Sequence, residues 1–238
     1  MPLILTNQNC LFLDIDGTLI DIAATPSGVV VPADLPETLR RLTKMLGGAL
    51  AFLSGRTLAD IDFLFPGRYA AAAEHGAILR DRAMRVTRRA TRPARFEVWR
   101  SVLADFATTR EGILIEEKTL GLAVHFRNHP DAGPALRSLI QTLVGNDAEI
   151  LAAHMAWEIR PHGIGKGLAL DWFMQQPPFA GKCPIFIGDD VTDEPAILAA
   201  RAHGGSGFHV ATDFGEGSLQ GPEAVRAWLM ESAVRQGR

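Results

Sequence analysis

The segment Leu11 to Leu19, LFLDIDGTL, is an apolar run that ends on two carboxylates and a glycine. Read as a strand, it sets Asp14 and Asp16, two residues apart, on the same side, and Gly17 permits a sharp turn directly after them. In open α/β sheets ligands sit beyond the carboxyl ends of the strands, so both carboxylates are expected to point into that crevice. The rival reading is a strand-to-turn junction in which Asp and Gly serve only the backbone.

A second acidic group weakens that rival. Ile187 to Glu194 reads IGDDVTDE, again after an apolar run, so that Asp189, Asp190 and Asp193 open the following helix. Acidic residues at a helix start also serve capping and the helix dipole. If the two groups converge, however, charges about 4 Å apart at an effective dielectric near 20 repel by about 4 kcal/mol, a large fraction of the ~5–15 kcal/mol that holds a domain folded. A bound cation resolves the conflict. The candidate ligands are oxygens, with no Cys or His cluster beside them, so a hard ion is expected.

Two further segments suit an anion. Ser54-Gly55-Arg56 follows the apolar run Ala49 to Leu53, where a hydroxyl and the backbone donors of the next helix could hold phosphoryl oxygens; a plain helix cap is the alternative. Gly163-Ile164-Gly165-Lys166-Gly167 lets Lys166 approach an anionic centre, or is an ordinary glycine-rich turn. The spacing of a P-loop is absent. A site with few carboxylates that also receives a phosphate favours Mg²⁺ as the cofactor.

The wider pattern says how these segments are brought together. Cys10 to Leu13, Ala49 to Leu53, Tyr69 to Ala73 and Pro184 to Ile187 read as buried parallel strands, and Leu35 to Leu46 and Thr57 to Leu64 as helices between them. Their alternation implies a doubly wound, Rossmann-like α/β core. The middle differs: Arg95 to Arg110 and Asp131 to Val144 look helical, while Ile113 to Arg127 and Glu149 to Arg160 look like hairpins. The order αββαββ suggests a small α+β cap, residues 91–160, inserted into a core made of residues 1–90 and 161–238.

At 238 residues, 47% of them apolar, the chain is long enough for such an arrangement. The formal charge of -3 gives no general reason to expect nucleic acid or an anionic membrane as partner. The Arg-rich stretch from Arg80 to Arg100 opposes that balance locally and reads as a solvated hairpin and linker at the cap entrance. Apolar runs stop well short of the ~18 residues a membrane span needs, and the N-terminus lacks a basic leader, so a cytoplasmic location is expected. Cys10 and Cys183 fit no metal or redox pattern and read as buried free thiols. Nothing fixes the oligomeric state, and a monomer is the default.

The ordered set DIDGT, SGR, GIGKG and GDDVTDE resembles the four motifs of the haloacid dehalogenase-like phosphatases. Glu74-His75-Gly76, the stretch from Glu116 through Lys118 to His125-Phe126-Arg127, and Glu158-Ile159-Arg160-Pro161 are similar to the trehalose-6-phosphate phosphatases in particular, and the resemblance runs from about Leu11 to Pro195. It implies a phosphatase acting on a small sugar phosphate, trehalose 6-phosphate, with Mg²⁺. It further implies that Asp14 is the nucleophile, that Asp16 is the acid and base, and that Ser54 and Lys166 hold the phosphoryl group. Asp14, Asp16 through its backbone carbonyl, and Asp189 would hold the metal, with Asp190 and Asp193 orienting its waters and Lys166. Arg56, Glu116, Lys118, His125, Arg127 and Glu158 would bind substrate, the last five from the cap. Two departures stand out: Phe126 takes the place of the family's usual Tyr, and Ala202 to Gly217 looks irregular beside the usual final strand and loop. Sucrose 6-phosphate and mannosyl-3-phosphoglycerate are the rival substrates. A phosphosugar sensor without turnover is the rival of another class.

Overall fold

A computed structural model describes residues 4–23, 25–153, 155–210 and 219–235. In chain order the elements are β1 (Asn9–Leu13), α1 (Leu35–Met45), β2 (Leu50–Leu53), α2 (Leu58–Leu64), β3 (Ala70–Ala73), β4 (Ile78–Arg80) and β5 (Val86–Arg88). Next come α3 (Phe96–Thr108), β6 (Leu114–Glu117), β7 (Leu122–His125), α4 (Gly133–Val144), β8 (Glu149–Ala153) and β9 (Ala156–Arg160). The chain continues with α5 (Lys166–Met174), β10 (Cys183–Gly188), α6 (Glu194–Ala202), β11 (Ser206–His209) and α7 (Gly221–Arg235). Two compact units result: the described residues up to Thr87 together with those from Gly165 onward, and Arg88 to Ile164.

The first unit is built on a seven-stranded sheet in the order β11-β10-β1-β2-β3-β4-β5. The five strands from β11 to β3 are parallel, and β4 turns back antiparallel to β3. Strand β1 is the switch point: β2 and β3 step to one side of it, while β10 and β11 lie on the other. Cys10 to Leu13, Leu50 to Leu53, Ala70 to Ala73 and Pro184 to Ile187 are all buried, as strands covered on both faces must be. Helix α1 presents Leu35, Leu39 and Leu42 as a buried stripe. Helix α2 begins with a capping box, in which Thr57 accepts from the Asp60 amide and Asp60 from the Thr57 amide. Both cysteines are free, but only Cys10 is buried, its pKa pushed up to about 12 by burial; Cys183, expected buried as well, is partly exposed because it opens β10.

The Arg-rich stretch corrects one expectation. Strands β4 and β5 are the expected hairpin, neighbours in the sheet, but Arg80 is buried rather than solvated, donating through Nη1 and Nη2 to Asp62 at 2.7 Å each and through Nε to the Tyr69 carbonyl at 3.1 Å. The irregular region from Ala202 to Gly217 also contains a strand, β11, which pairs with β10; its residues 211–217 lie outside the described residues. No helix among the described residues is long and apolar enough to cross a membrane.

The second unit has the expected αββαββ order and an antiparallel sheet, β6-β7-β9-β8. Helices α3 and α4 bring Phe96, Trp99, Leu103, Leu136, Ile140 and Val144 onto Leu122, Val124 and Ile159. Register then assigns the other face. Glu116 stands opposite Ala123 and Ala123 opposite Glu158, out of phase with Leu122 and Val124, so Glu116, His125 and Glu158 share the sheet surface that the helices do not cover. Phe126 joins the apolar cluster and stacks on Trp157 at 6.1 Å between centroids. In that setting a phenol hydroxyl would need a partner, and Phe needs none.

Candidate active site

Asp14 follows β1 directly, and its N–H donates to the Ile187 carbonyl of β10 at 3.0 Å. The backbone pairing at the switch point therefore fixes where this carboxylate emerges. The chain then doubles back, with the Leu19 and Ile20 amides both donating to the Ile15 carbonyl, which returns the buried Thr18 hydroxyl to Asp14 Oδ2 at 3.3 Å. Gly17 has φ +75, and a Cβ there would lie 2.0 Å from Asp189 Oδ2. The glycine thus serves two demands at once: a left-handed turn and the close approach of a carboxylate arriving from β10.

Asp189 and Asp190 follow β10. Asp190 caps the next turn by accepting from the Val191 amide at 2.6 Å, and its own N–H donates to Asp193 Oδ2 at 3.1 Å. Asp193 is thereby held fully buried, with Oδ1 turned to Lys166. Lys166, the first residue of α5, donates through Nζ to Asp14 Oδ1 at 2.7 Å and to Asp193 Oδ1 at 2.5 Å.

The electrostatics of this cluster are unbalanced. Burial raises the Asp14 pKa well above the ordinary carboxylate range; Lys166 opposes that, while Asp193 and Asp189 add to it. Asp189 is raised to about 6, first by burial and then by Asp193. Burial pulls Lys166 down, but Asp14 and Asp193 together outweigh it, and the ammonium is held charged. One ammonium among three carboxylates leaves excess negative charge. Oxygens of Asp14, Asp189 and Asp193 lie within 4.8 Å of one another, so the donor set is all oxygen, partly dehydrated and short of positive charge. These residues fit a hard divalent cation.

Two other residues singled out in the first unit follow β2, the strand beside β1. Ser54, buried after β2, accepts from the Arg56 amide at 3.2 Å. Arg56, expected at the substrate, is turned onto Asp16, with Nε donating to Oδ2 at 2.7 Å and Nη2 to Oδ1 at 2.6 Å. In the second unit, described by itself, Lys118 Nζ donates to Glu158 Oε1 at 2.9 Å and His125 Nε2 lies 2.8 Å from Glu116 Oε2. Burial would raise Glu116, but the hydrogen bond from His125 and the charge of Lys118 bring it below the usual range. Arg127 is half-buried just past β7. Thr18 was not anticipated, although the threonine of DIDGT was the available signal. Glu74 and His75, buried after β3, are placed by backbone geometry that composition does not announce.

The Trehalose-phosphatase family model matches residues 12–224. The chain belongs to the trehalose-phosphatase family. Among its relatives, a probable trehalose-phosphate phosphatase of Sinorhizobium fredii (strain NBRC 101917 / NGR234) is 42% identical over 232 residues, covering 94% of this chain and 87% of that one. The trehalose-6-phosphate phosphatase of Escherichia coli (strain K12) is 33% identical over 239 residues, with 95% and 88% covered. In fold, the C-terminal domain of the C. albicans trehalose-6-phosphate phosphatase matches with a TM-score of 0.84 at 20% identity, covering 96% of this chain and 92% of that one. A haloacid dehalogenase-like hydrolase from Bacteroides thetaiotaomicron matches with a TM-score of 0.57 at 17% identity, covering 80% and 85%. The trehalose-phosphatase family thus has here a core whose acidic cluster lies at the sheet's switch point.

Proposed function

We propose that this chain is a Mg²⁺-dependent phosphatase that converts trehalose 6-phosphate to trehalose and phosphate through an aspartyl-phosphate on Asp14. One observation carries the reading: Asp14, 5% exposed at the carboxyl end of β1, is held between Lys166 and two further carboxylates. A structural ion pair would need one acid for one base; the surplus suits a cation and a phosphoryl group. Relatives named as trehalose-phosphate phosphatases supply the substrate class.

In the first step an Asp14 oxygen attacks phosphorus, the bond from phosphorus to the sugar oxygen breaks, and Asp16 delivers its proton to that oxygen. In the second, water attacks phosphorus as Asp16 takes one of its protons, and the bond to Asp14 breaks, releasing phosphate. Lys166 holds Asp14 in place and offsets charge on the transferring group, and Ser54 offers a hydroxyl to it. Asp14, Asp189 and the Asp16 carbonyl would hold Mg²⁺, with Asp190 and Asp193 orienting its surroundings; when bound, the ion supplies further charge neutralisation. Glu116, Lys118, His125, Arg127 and Glu158 are the candidates for sugar recognition, with Arg56 the remaining substrate-binding candidate from the sequence.

The test is phosphate release from trehalose 6-phosphate, sucrose 6-phosphate, glucose 6-phosphate and mannosyl-3-phosphoglycerate, each with and without Mg²⁺. Trehalose 6-phosphate with Mg²⁺ should lead the panel, and Asp14→Asn should lower turnover by at least about 10³-fold. Preference for another ester would overturn the substrate, and undiminished turnover of Asp14→Asn would overturn the mechanism.

A further inference from the structure

The turn after β3 runs through three successive left-handed residues, with φ 49 at Glu74, 57 at His75 and 97 at Gly76. Two of these are not glycine, and such backbone persists only where its surroundings over-determine it. Here the surroundings are the loop after β2. The His75 amide donates to the Ser54 carbonyl and the Glu74 amide to the Arg56 carbonyl, both at 2.9 Å. The His75 ring closes on Gly55, where a Cβ would come within 2.6 Å of Nε2. The backbone that carries Arg56 is therefore braced from behind.

In front, the guanidinium of Arg56 meets Asp16 as a fork, two nearly equal bonds of 2.6 and 2.7 Å to its two oxygens. The side chains differ in exposure, 12% for Arg56 against 39% for Asp16. The fixed partner is thus the arginine, and the carboxylate is what it holds out. We propose that Arg56 is a positioning residue that acts through Asp16, fixing the plane in which that carboxylate gives and takes its proton. This rests on Asp16 being the proton-transfer group. A fork of two parallel bonds sets orientation as well as distance. Arginine stays charged at any working pH and so does not compete as the proton donor, while each Asp16 oxygen keeps a second lone pair for the reacting oxygen. Lysine, a point charge, does not fix the plane.

The experiment uses the full chain with Mg²⁺ and trehalose 6-phosphate, comparing Arg56→Ala, Arg56→Lys, Asp16→Asn and the Arg56→Ala/Asp16→Asn double variant, each checked for folding by circular dichroism. Arg56→Ala should lower kcat about 10²-fold, the loss associated with misplacing a reacting group by about 1 Å, while KM stays within about threefold. Arg56→Lys should recover little. The double variant should be no slower than Asp16→Asn, because the two residues act as one unit. Methylguanidinium should restore turnover to Arg56→Ala and not to the double variant. Burst release of dinitrophenolate from 2,4-dinitrophenyl phosphate, a leaving group that needs no proton, should stay within about threefold of the parent in Arg56→Ala. A raised KM with kcat preserved would make Arg56 a substrate contact and overturn the proposal, as would an equal loss of burst rate on the dinitrophenyl ester. Parental turnover by Asp16→Asn is a different failure, since it removes the proton-transfer reading itself.

Discussion

Metal binding by this site should fall steeply between pH 7 and pH 5, over a range in which ordinary carboxylates stay ionised. The cause is Asp189, raised from 3.8 to about 6 by burial and by Asp193. A cation binds the ionised form, so protons compete with it. With a pKa of about 6, Asp189 is about 90% ionised at pH 7 and about 10% at pH 5, so apparent Mg²⁺ affinity should drop about 10-fold. An unperturbed carboxylate near 3.8 would change affinity by only about 6% over the same range. Asp14, pushed in the same direction, makes the drop larger.

A carboxylate raised on folding favours the protonated native state, so its penalty is absent below 3.8 and fully present above about 6. At about 1.36 kcal/mol per pH unit, the metal-free protein loses at most about 3 kcal/mol through Asp189 as pH rises across that window, less whatever solvent screens from this partly exposed group. Saturating Mg²⁺ should therefore raise Tm more at pH 7 than at pH 5, with a ceiling of about 10 °C on this contribution. Titration calorimetry at pH 5, 6 and 7, paired with thermal melts, measures both quantities. An affinity at pH 5 within twofold of that at pH 7 would refute the reasoning, since it would mean that Asp189 is not raised or does not bind the ion.

Other outcomes follow from single contacts. Asp62→Ala leaves the buried Arg80 guanidinium without its carboxylate and should cost about 3 kcal/mol in urea denaturation; Asp21→Ala, which removes a 72% exposed side chain paired with Arg226, should stay within about 0.5 kcal/mol. Equal effects would show that burial of the arginine is immaterial. Gly17→Ala forces a Cβ toward the Asp189 carboxylate at φ +75 and should lower kcat by at least about 10²-fold; parental kinetics would contradict that close approach. Trp99 is buried with its indole N–H unpaired among the described residues. Trp99→Phe gives back about 1–3 kcal/mol of that penalty against a comparable loss of packing, so it should lie within about 1 kcal/mol of the parent, and a loss above about 3 kcal/mol would show that the indole N–H is satisfied.

The parts of the fold that were legible are those whose sequence pattern follows directly from burial. Strands β1, β2, β3 and β10 lie under layers on both faces, so each is written as an unbroken apolar run and begins or ends within a residue of where it was expected. Strand β11, Ser-Gly-Phe-His, sits at the sheet edge and is held by pairing with β10 rather than by any pattern of its own. Strands β4 and β5 have three residues each, too few to show a period, and Arg80 looked solvated because its partner Asp62 lies 18 residues away. The same distance problem hid the role of Arg56: an arginine after Ser-Gly suits a phosphate equally well, and the carboxylate it meets is 40 residues earlier.

What could be read of the site depended on a different kind of signal. Local rules favour charges in water and non-glycine residues at negative φ, and this chain breaks both rules in adjacent places. Asp14 is buried at the end of β1, Ser54 and the mostly buried Arg56 follow β2, Glu74 and His75 stand at positive φ after β3, and Asp189 and Asp193 follow β10. Since β10, β1, β2 and β3 are consecutive in the sheet and mutually parallel, all four departures fall along the same edge. Where local preference and global fold disagree at one isolated position, packing accident is sufficient explanation. Four disagreements brought side by side by strand order point to one shared demand, and the one proposed above, a phosphoryl group held beside a cation, would use the buried carboxylates, the ammonium and the braced guanidinium together.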